Sequence, residues 1–247
     1  MIYRQFLVMR KAVLVYTAAI VALSVLMLVT QRHWCTNTSL NGYFEGIMFP
    51  VMLFASVYGV GLGNASRDGA RVFWLIPRPR WLSALELIAA DALGIVVSYV
   101  LTAAVAFGFF VVGNAVHGGS CAVANDLQPL SIPTALCFAF AMYGWAALVG
   151  MIGRRVAYLG LAFLPAALLW SGFAHGDNPL GLMLRAVAWA NPFVVWQMRS
   201  FAVDDVVAQA QWWLRSSPEL IPAMLAAIAV GTCALAVALW QRAEVIV

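Results

Sequence analysis

Apolar residues come in long blocks along this chain, and polar residues gather in the short stretches between them. Six blocks are free or nearly free of charge: residues 12–30, 46–66, 92–113, 132–153, 156–174 and 220–241. Each is about as long as the roughly 20 residues a helix needs to cross about 30 Å of hydrocarbon. None alternates apolar and polar positions with period two, so none reads as a barrel strand. The pattern predicts an all-α membrane protein with six transmembrane helices in a single domain, residues 1–247. The first block is too long for a signal peptide. No small-residue cleavage site follows it, since Gln31, Arg32, His33 and Trp34 come next, so it is expected to stay as an anchor.

Between the blocks, four regions carry structure of their own. Residues 1–11 set Ile2, Tyr3, Phe6 and Leu7 against Arg4, Gln5 and Arg10. That spacing suits an interfacial amphipathic helix on the inner leaflet, or a frayed start of the first span. Residues 67–80 place charges first, then Val72, Phe73 and Trp74, then Pro77 and Pro79, which stop a helix. The third span opens on a semi-polar lead with Glu86 and Asp91. A carboxylate in lipid is expensive. Glu86 is therefore expected at the interface, and Asp91 near the inner end, facing protein. Their partners would be Arg78, Arg80 or a helix N-terminus, or else they would serve as a proton relay. Residues 175–219 are too polar to span but too aromatic for a plain loop. Asn191-Pro192 is a helix-start pair, with Asn as cap and Pro at the first position. The expectation there is of outer short re-entrant helices.

Composition sharpens this picture. Of 247 residues, 64% are apolar and only 10% charged, against about 25% charged in soluble domains. That excludes a water-soluble globular enzyme, a disordered chain and a nucleic-acid-binding domain. The preferred partner is the lipid bilayer. Charge also orients the chain. With both termini cytoplasmic, ten Arg/Lys fall inside (Arg4, Arg10, Lys11, Arg67, Arg71, Arg78, Arg80, Arg154, Arg155 and Arg242) and four outside (Arg32, Arg185, Arg199 and Arg215). The inner excess favours this orientation. Trp34, Trp74, Trp81, Trp170 and Trp240 fall near span ends, where indoles prefer the headgroup zone, whereas Trp145 lies inside a span.

Candidate chemistry is sparse. No G-x-x-x-x-G-K-[ST], G-x-S-x-G or H-E-x-x-H occurs, so no nucleotide site or hydrolytic centre of those kinds is expected. Asp68-Gly69-Ala70-Arg71 is too short by two residues for the core of the CDP-alcohol phosphotransferases. Cys137 and Cys233 lie in spans as packing residues. Cys35 and Cys121 lie in outer loops, where they would form a disulfide, stay free, or join His33 and His117 around a metal. Gly59-x-x-x-Gly63 is either a seam between two copies or ordinary packing within the chain.

The chain resembles the membrane subunit of ABC-2-type (type V) ABC transporters. The resemblance is sharpest at Asp68-Gly69, followed by Leu75-Ile76-Pro77-Arg78-Pro79-Arg80-Trp81-Leu82, between the second and third spans. Asn191-Pro192-Phe193 resembles the family's outer re-entrant segment, and Arg154-Arg155 its inner turn. Glu86 departs from it, standing where these permeases often carry Lys. The resemblance implies a permease subunit of an ATP-driven exporter in a bacterial inner membrane, not itself an enzyme. ATP and Mg would be held by a separate ABC ATPase, with a second copy of the permease completing the pathway. It further implies an inner coupling helix between spans two and three, with Arg67, Asp68, Arg71, Phe73, Trp74, Arg78 and Arg80 at the ATPase contact. Asn191, Pro192, Phe193 and Trp196 would belong to the outer gate. The cargo would be lipidic, amphipathic or of another class. The alternative is a non-transporting scaffold or sensor that recruits a cytoplasmic partner.

Overall fold

The computed structural model describes residues 40–68, 79–116, 131–152, 190–197 and 220–242, together with Leu14, Val15, Ala18, Val21 and Ala22. Every described element is helical: α1 (Leu40–Asp68), α2 (Arg80–Val116), α3 (Ser131–Ile152), α4 (Pro192–Gln197) and α5 (Leu220–Arg242). Three of them contain stretches long and apolar enough to cross a membrane: Arg80–Val105, Ile132–Ile152 and Leu220–Gln241. This is the build of an integral membrane protein. The predicted block 46–66 lies wholly within α1, and the five isolated residues from the block 12–30 are helical and exposed. The block 156–174 and the interfacial segment 1–11 lie outside the described residues.

The third span departs from its predicted bounds. It was expected to start at residue 92, but α2 begins at Arg80, directly after Pro79. Its first turn is closed by the Leu82 amide donating to the Pro79 carbonyl at 3.1 Å. The semi-polar lead is helical because its two acids need not meet lipid together. Glu86 is on the exposed side, and Asp91 faces the protein. At 37 residues, α2 is about 55 Å long, well beyond the hydrocarbon thickness.

α3 is the central helix. Apolar or small all round, it buries its surface against neighbours on several sides. Against α1 the approach is very close. A Cβ on Gly63 would lie 2.6 Å from the Ala147 carbonyl oxygen and 2.7 Å from Gly150 Cα, and one on Gly59 would run into the Tyr143 carbonyl. Gly59-x-x-x-Gly63 is therefore packing within the chain, not a seam between copies. Gly61, between them, faces open space. On another side Gly144 admits Thr232 of α5, whose hydroxyl folds back to donate to the Ile228 carbonyl at 2.7 Å.

These contacts fix the helix directions. Along α1 and α3 contacting positions rise together, Gly59 meeting Tyr143 and Gly63 meeting Ala147 and Gly150, so α1 and α3 run parallel. α2 runs against them: Asp91 meets Tyr143, whereas Tyr99, further along α2, meets Ile132 at the other end of α3. Trp240, expected in the headgroup zone, is instead buried with Val51, Ala55, Ile95, Ala139 and Tyr143 in the main core. Trp81 is exposed.

Candidate functional site

Two features of the bundle place polar groups where apolar packing alone would not. The first lies where α1, α2 and α3 converge. On α2, Leu87, Asp91, Ile95, Ser98 and Thr102 recur at three- and four-residue spacing and share the buried face. Asp91 is 2% exposed, and its Oδ2 accepts a 2.9 Å hydrogen bond from the Tyr143 hydroxyl of α3, itself 1% exposed. From α1, Tyr58 stands against Phe54, with ring centroids 4.5 Å apart. Its hydroxyl oxygen is buried and makes no hydrogen bond. Ser98 Oγ, two turns along α2 from Asp91, is likewise buried without a hydrogen bond. Thr102 donates to the Ser98 carbonyl at 2.6 Å, and Tyr99 donates to the Ile132 carbonyl at 2.7 Å.

Asp91 thus faces protein, as a carboxylate in a span must. The arginine or helix-end partnership expected for it does not hold on its own helix. Eleven residues, about 16 Å of rise, separate Asp91 from Arg80 and the start of α2. That is beyond an arginine's reach and beyond the first-turn range of a helix dipole. The tyrosines were missed because the spans are apolar all round, which leaves no helical periodicity to say which way Tyr58 and Tyr143 face. The available signal was a phenol in mid-span, which needs a polar partner.

The second feature is α4. Asn191, 1% exposed, caps it: its Oδ1 accepts from the Phe193 amide at 3.0 Å, and its carbonyl accepts from the Val195 amide at 3.2 Å. Pro192 occupies the first helical position, where its missing N–H costs nothing. Phe193 meets Phe138 edge-on at 5.2 Å, and Trp196 stacks on the same ring at 5.0 Å. Phe193 and Val195 are buried with Met52, Met142, Ile221 and Leu225, so α4 sits against α3 and α5. Trp145 explains its own place inside a span. Its indole N–H donates to the Ala190 carbonyl at 2.8 Å and pins the start of α4. Trp145 is fourteen residues, about 21 Å of rise, from the start of α3. The capped end of α4 is thus held well down the bundle, not at its rim.

The remaining candidate residues are distributed as follows. Arg67 and Asp68 end α1, and Arg80, half-buried, opens α2. Arg71, Phe73, Trp74, Arg78, Cys35 and Cys121 lie outside the described residues. Cys137 and Cys233 are half-buried free thiols in α3 and α5. Among the described residues no group of three or more His, Cys, Asp or Glu could hold a metal.

The chain matches no family model, no curated protein and no solved structure.

Proposed function

We propose that this chain is the permease subunit of an ATP-driven exporter of the ABC-2 type. A separate ABC ATPase would bind ATP and Mg, and a second copy of the chain would complete the pathway. The observation that carries the reading is α4, whose Asn-capped, Trp145-pinned start is buried between α3 and α5. Chain that leaves a span and lodges a short helix within the bundle is the architecture of an outer re-entrant gate. Backbone at such depth survives where protein satisfies it, as Trp145 does for Ala190.

The helix directions support the same reading. α1 and α3 run one way and α2 the other. Six alternating spans require this of their second, fourth and third members. The basic residues Arg67 and Arg80 fall at the ends of α1 and α2 that the 69–79 connection joins. A cytoplasmic ATPase would dock on that connection, with Arg67, Asp68, Arg71, Arg78 and Arg80 as a charged rim and Phe73 and Trp74 as the apolar anchor. Both termini would be cytoplasmic, in a bacterial inner membrane. The bundle interior, apolar with a few hydroxyls, suits a lipidic or amphipathic cargo.

The test uses an ABC ATPase encoded beside this chain, co-expressed with it and purified from membranes. Trp74→Ala should weaken the complex by about 2 kcal/mol or more, as loss of a buried interface anchor does, and should lower ATP hydrolysis by the purified complex. An ATPase that co-purifies equally with wild type and Trp74→Ala, with unchanged hydrolysis, would remove the coupling role. Binding without any stimulated hydrolysis would favour a scaffold or sensor that only recruits its partner.

A further inference from the structure

We propose that the outer half of α2 pairs with the same segment of a second copy of this chain, through the face that carries Leu101, Ala104, Gly108, Val111 and Ala115. The inference rests on the two-copy part of the exporter reading and deepens it by naming the seam. It does not depend on the ATPase.

The register of the bundle carries it. Asp91 of α2 meets Tyr143 of α3, and Tyr99 meets Ile132 in the first turn of α3. The stretch from Arg80 to Tyr99 therefore lies level with the whole of α3, and at about 29 Å it already matches the hydrocarbon thickness. The apolar stretch Ile132–Ile152 sets the bilayer at that level. So does α1: its contacts at Gly59 and Gly63 bring the charge-free block 46–66 level with 132–152. From Tyr99, α2 runs on for seventeen residues to Val116, about 25 Å further. α1 begins only about 10 Å beyond the start of α3. α5, held at Gly144 by Thr232, has at most twelve residues on either side of that contact, and α4 is stacked on Phe138. From Phe107 onward, α2 thus has no described helix beside it.

This projecting part is apolar and open. No Asp, Glu, Lys or Arg occurs from Ala92 to Val116. Phe107, Val111 and Val112 are 62, 51 and 52% exposed, and a Cβ on Gly108 would meet nothing within 4 Å. Lipid tails cover such a face within the hydrocarbon but not beyond it. Apolar surface held clear of the bilayer marks a protein interface.

Height and charge set what covers it. Two copies inserted in one orientation are related by a two-fold axis along the membrane normal, which sets like against like at equal depth. The second α2 is therefore equally tall and equally apolar, and no like charges oppose each other across the pair. Leu101, Ala104, Gly108, Val111 and Ala115 recur at three- and four-residue spacing and are all exposed. The small residues among them let two backbones approach closely. Pairing along this length buries on the order of 1,000 Å², the least that a specific interface needs.

The test is disulfide trapping in native membranes, in a full chain whose own cysteines are replaced. Gly108→Cys and Val111→Cys are compared with Val57→Cys on α1 and Val230→Cys on α5, which are equally exposed but lie at the level of the hydrocarbon. Copper–phenanthroline oxidation should give a covalent dimer from the first two and monomer from the others. In lipid nanodiscs, Gly108→Leu should lower the dimer fraction without unfolding the chain, since that position faces open space. A dimer trapped at Val57→Cys or Val230→Cys, with none at Gly108→Cys, would overturn this seam and leave the two-copy exporter reading standing. Monomer throughout, with Gly108→Cys shielded from an impermeant maleimide, would mean that lipid or another protein covers the face, and would overturn the proposal. A chain that is monomeric in nanodiscs and open to maleimide there would overturn both the seam and the two-copy reading.

Discussion

At the scale of single residues, the two buried phenols make opposite predictions. The Tyr143 hydroxyl is bonded to a buried carboxylate, and the Tyr58 hydroxyl is bonded to nothing. Tyr143→Phe should cost about 1–3 kcal/mol, because it removes a hydrogen bond to a buried polar group. Tyr58→Phe should be neutral or slightly stabilising, because it deletes a hydroxyl that is desolvated without return. Thermal unfolding of the two variants in the same detergent checks this, and equal losses would contradict the geometry. Asp91 itself was legible, since a carboxylate in an apolar span must turn toward protein. Its partners were not. Tyr143 lies 52 positions away on another helix, and nothing local ties the two. The Asn191-Pro192 start of α4 was legible because capping chemistry is local: the cap's side chain, its carbonyl and the fixed proline φ all act within one turn.

At the scale of helices, charge-free length foretold where the spans lie but not where their helices end. The predicted block 132–153 and α3 differ by a single residue at each end. The third span began twelve residues early, because hydropathy cannot tell a broken helix from one that carries Glu86 and Asp91 on different faces. Small residues were legible as close-packing sites, but the partner surface was not. Gly59-x-x-x-Gly63 suits a second copy as well as it suits α3, and only tertiary structure decides between them. The distinction is testable. Gly63→Leu puts a side chain into the backbone of Ala147 and Gly150 and should destabilise the protein by about 1–3 kcal/mol or more. Gly61→Leu, two residues away, points into open space and should be tolerated. Melting temperatures of the two variants provide the check, and tolerance of Gly63→Leu would mean that α1 and α3 are not in contact.

At the scale of the whole molecule, the described bundle is built around α3, with α1 parallel to it, α2 running against it and α5 packed on it at Gly144. Composition made the membrane class plain, because no soluble fold of this size hides so much apolar surface. It does not carry orientation, which rests on the ten inner and four outer Arg/Lys. Every role proposed for residues 67–80 requires that connection to be cytoplasmic. The most direct measurement is side-specific thiol labelling. Cys35, Cys121, Cys137 and Cys233 are first replaced, and a single cysteine is introduced by Ala70→Cys or, in a second chain, by Ser120→Cys. A membrane-impermeant maleimide is then applied to intact cells and to inverted vesicles. The account predicts Ala70→Cys labelled only in inverted vesicles, and Ser120→Cys only in intact cells. Labelling of Ala70→Cys from outside would contradict the topology and, with it, the coupling of this chain to a cytoplasmic ATPase.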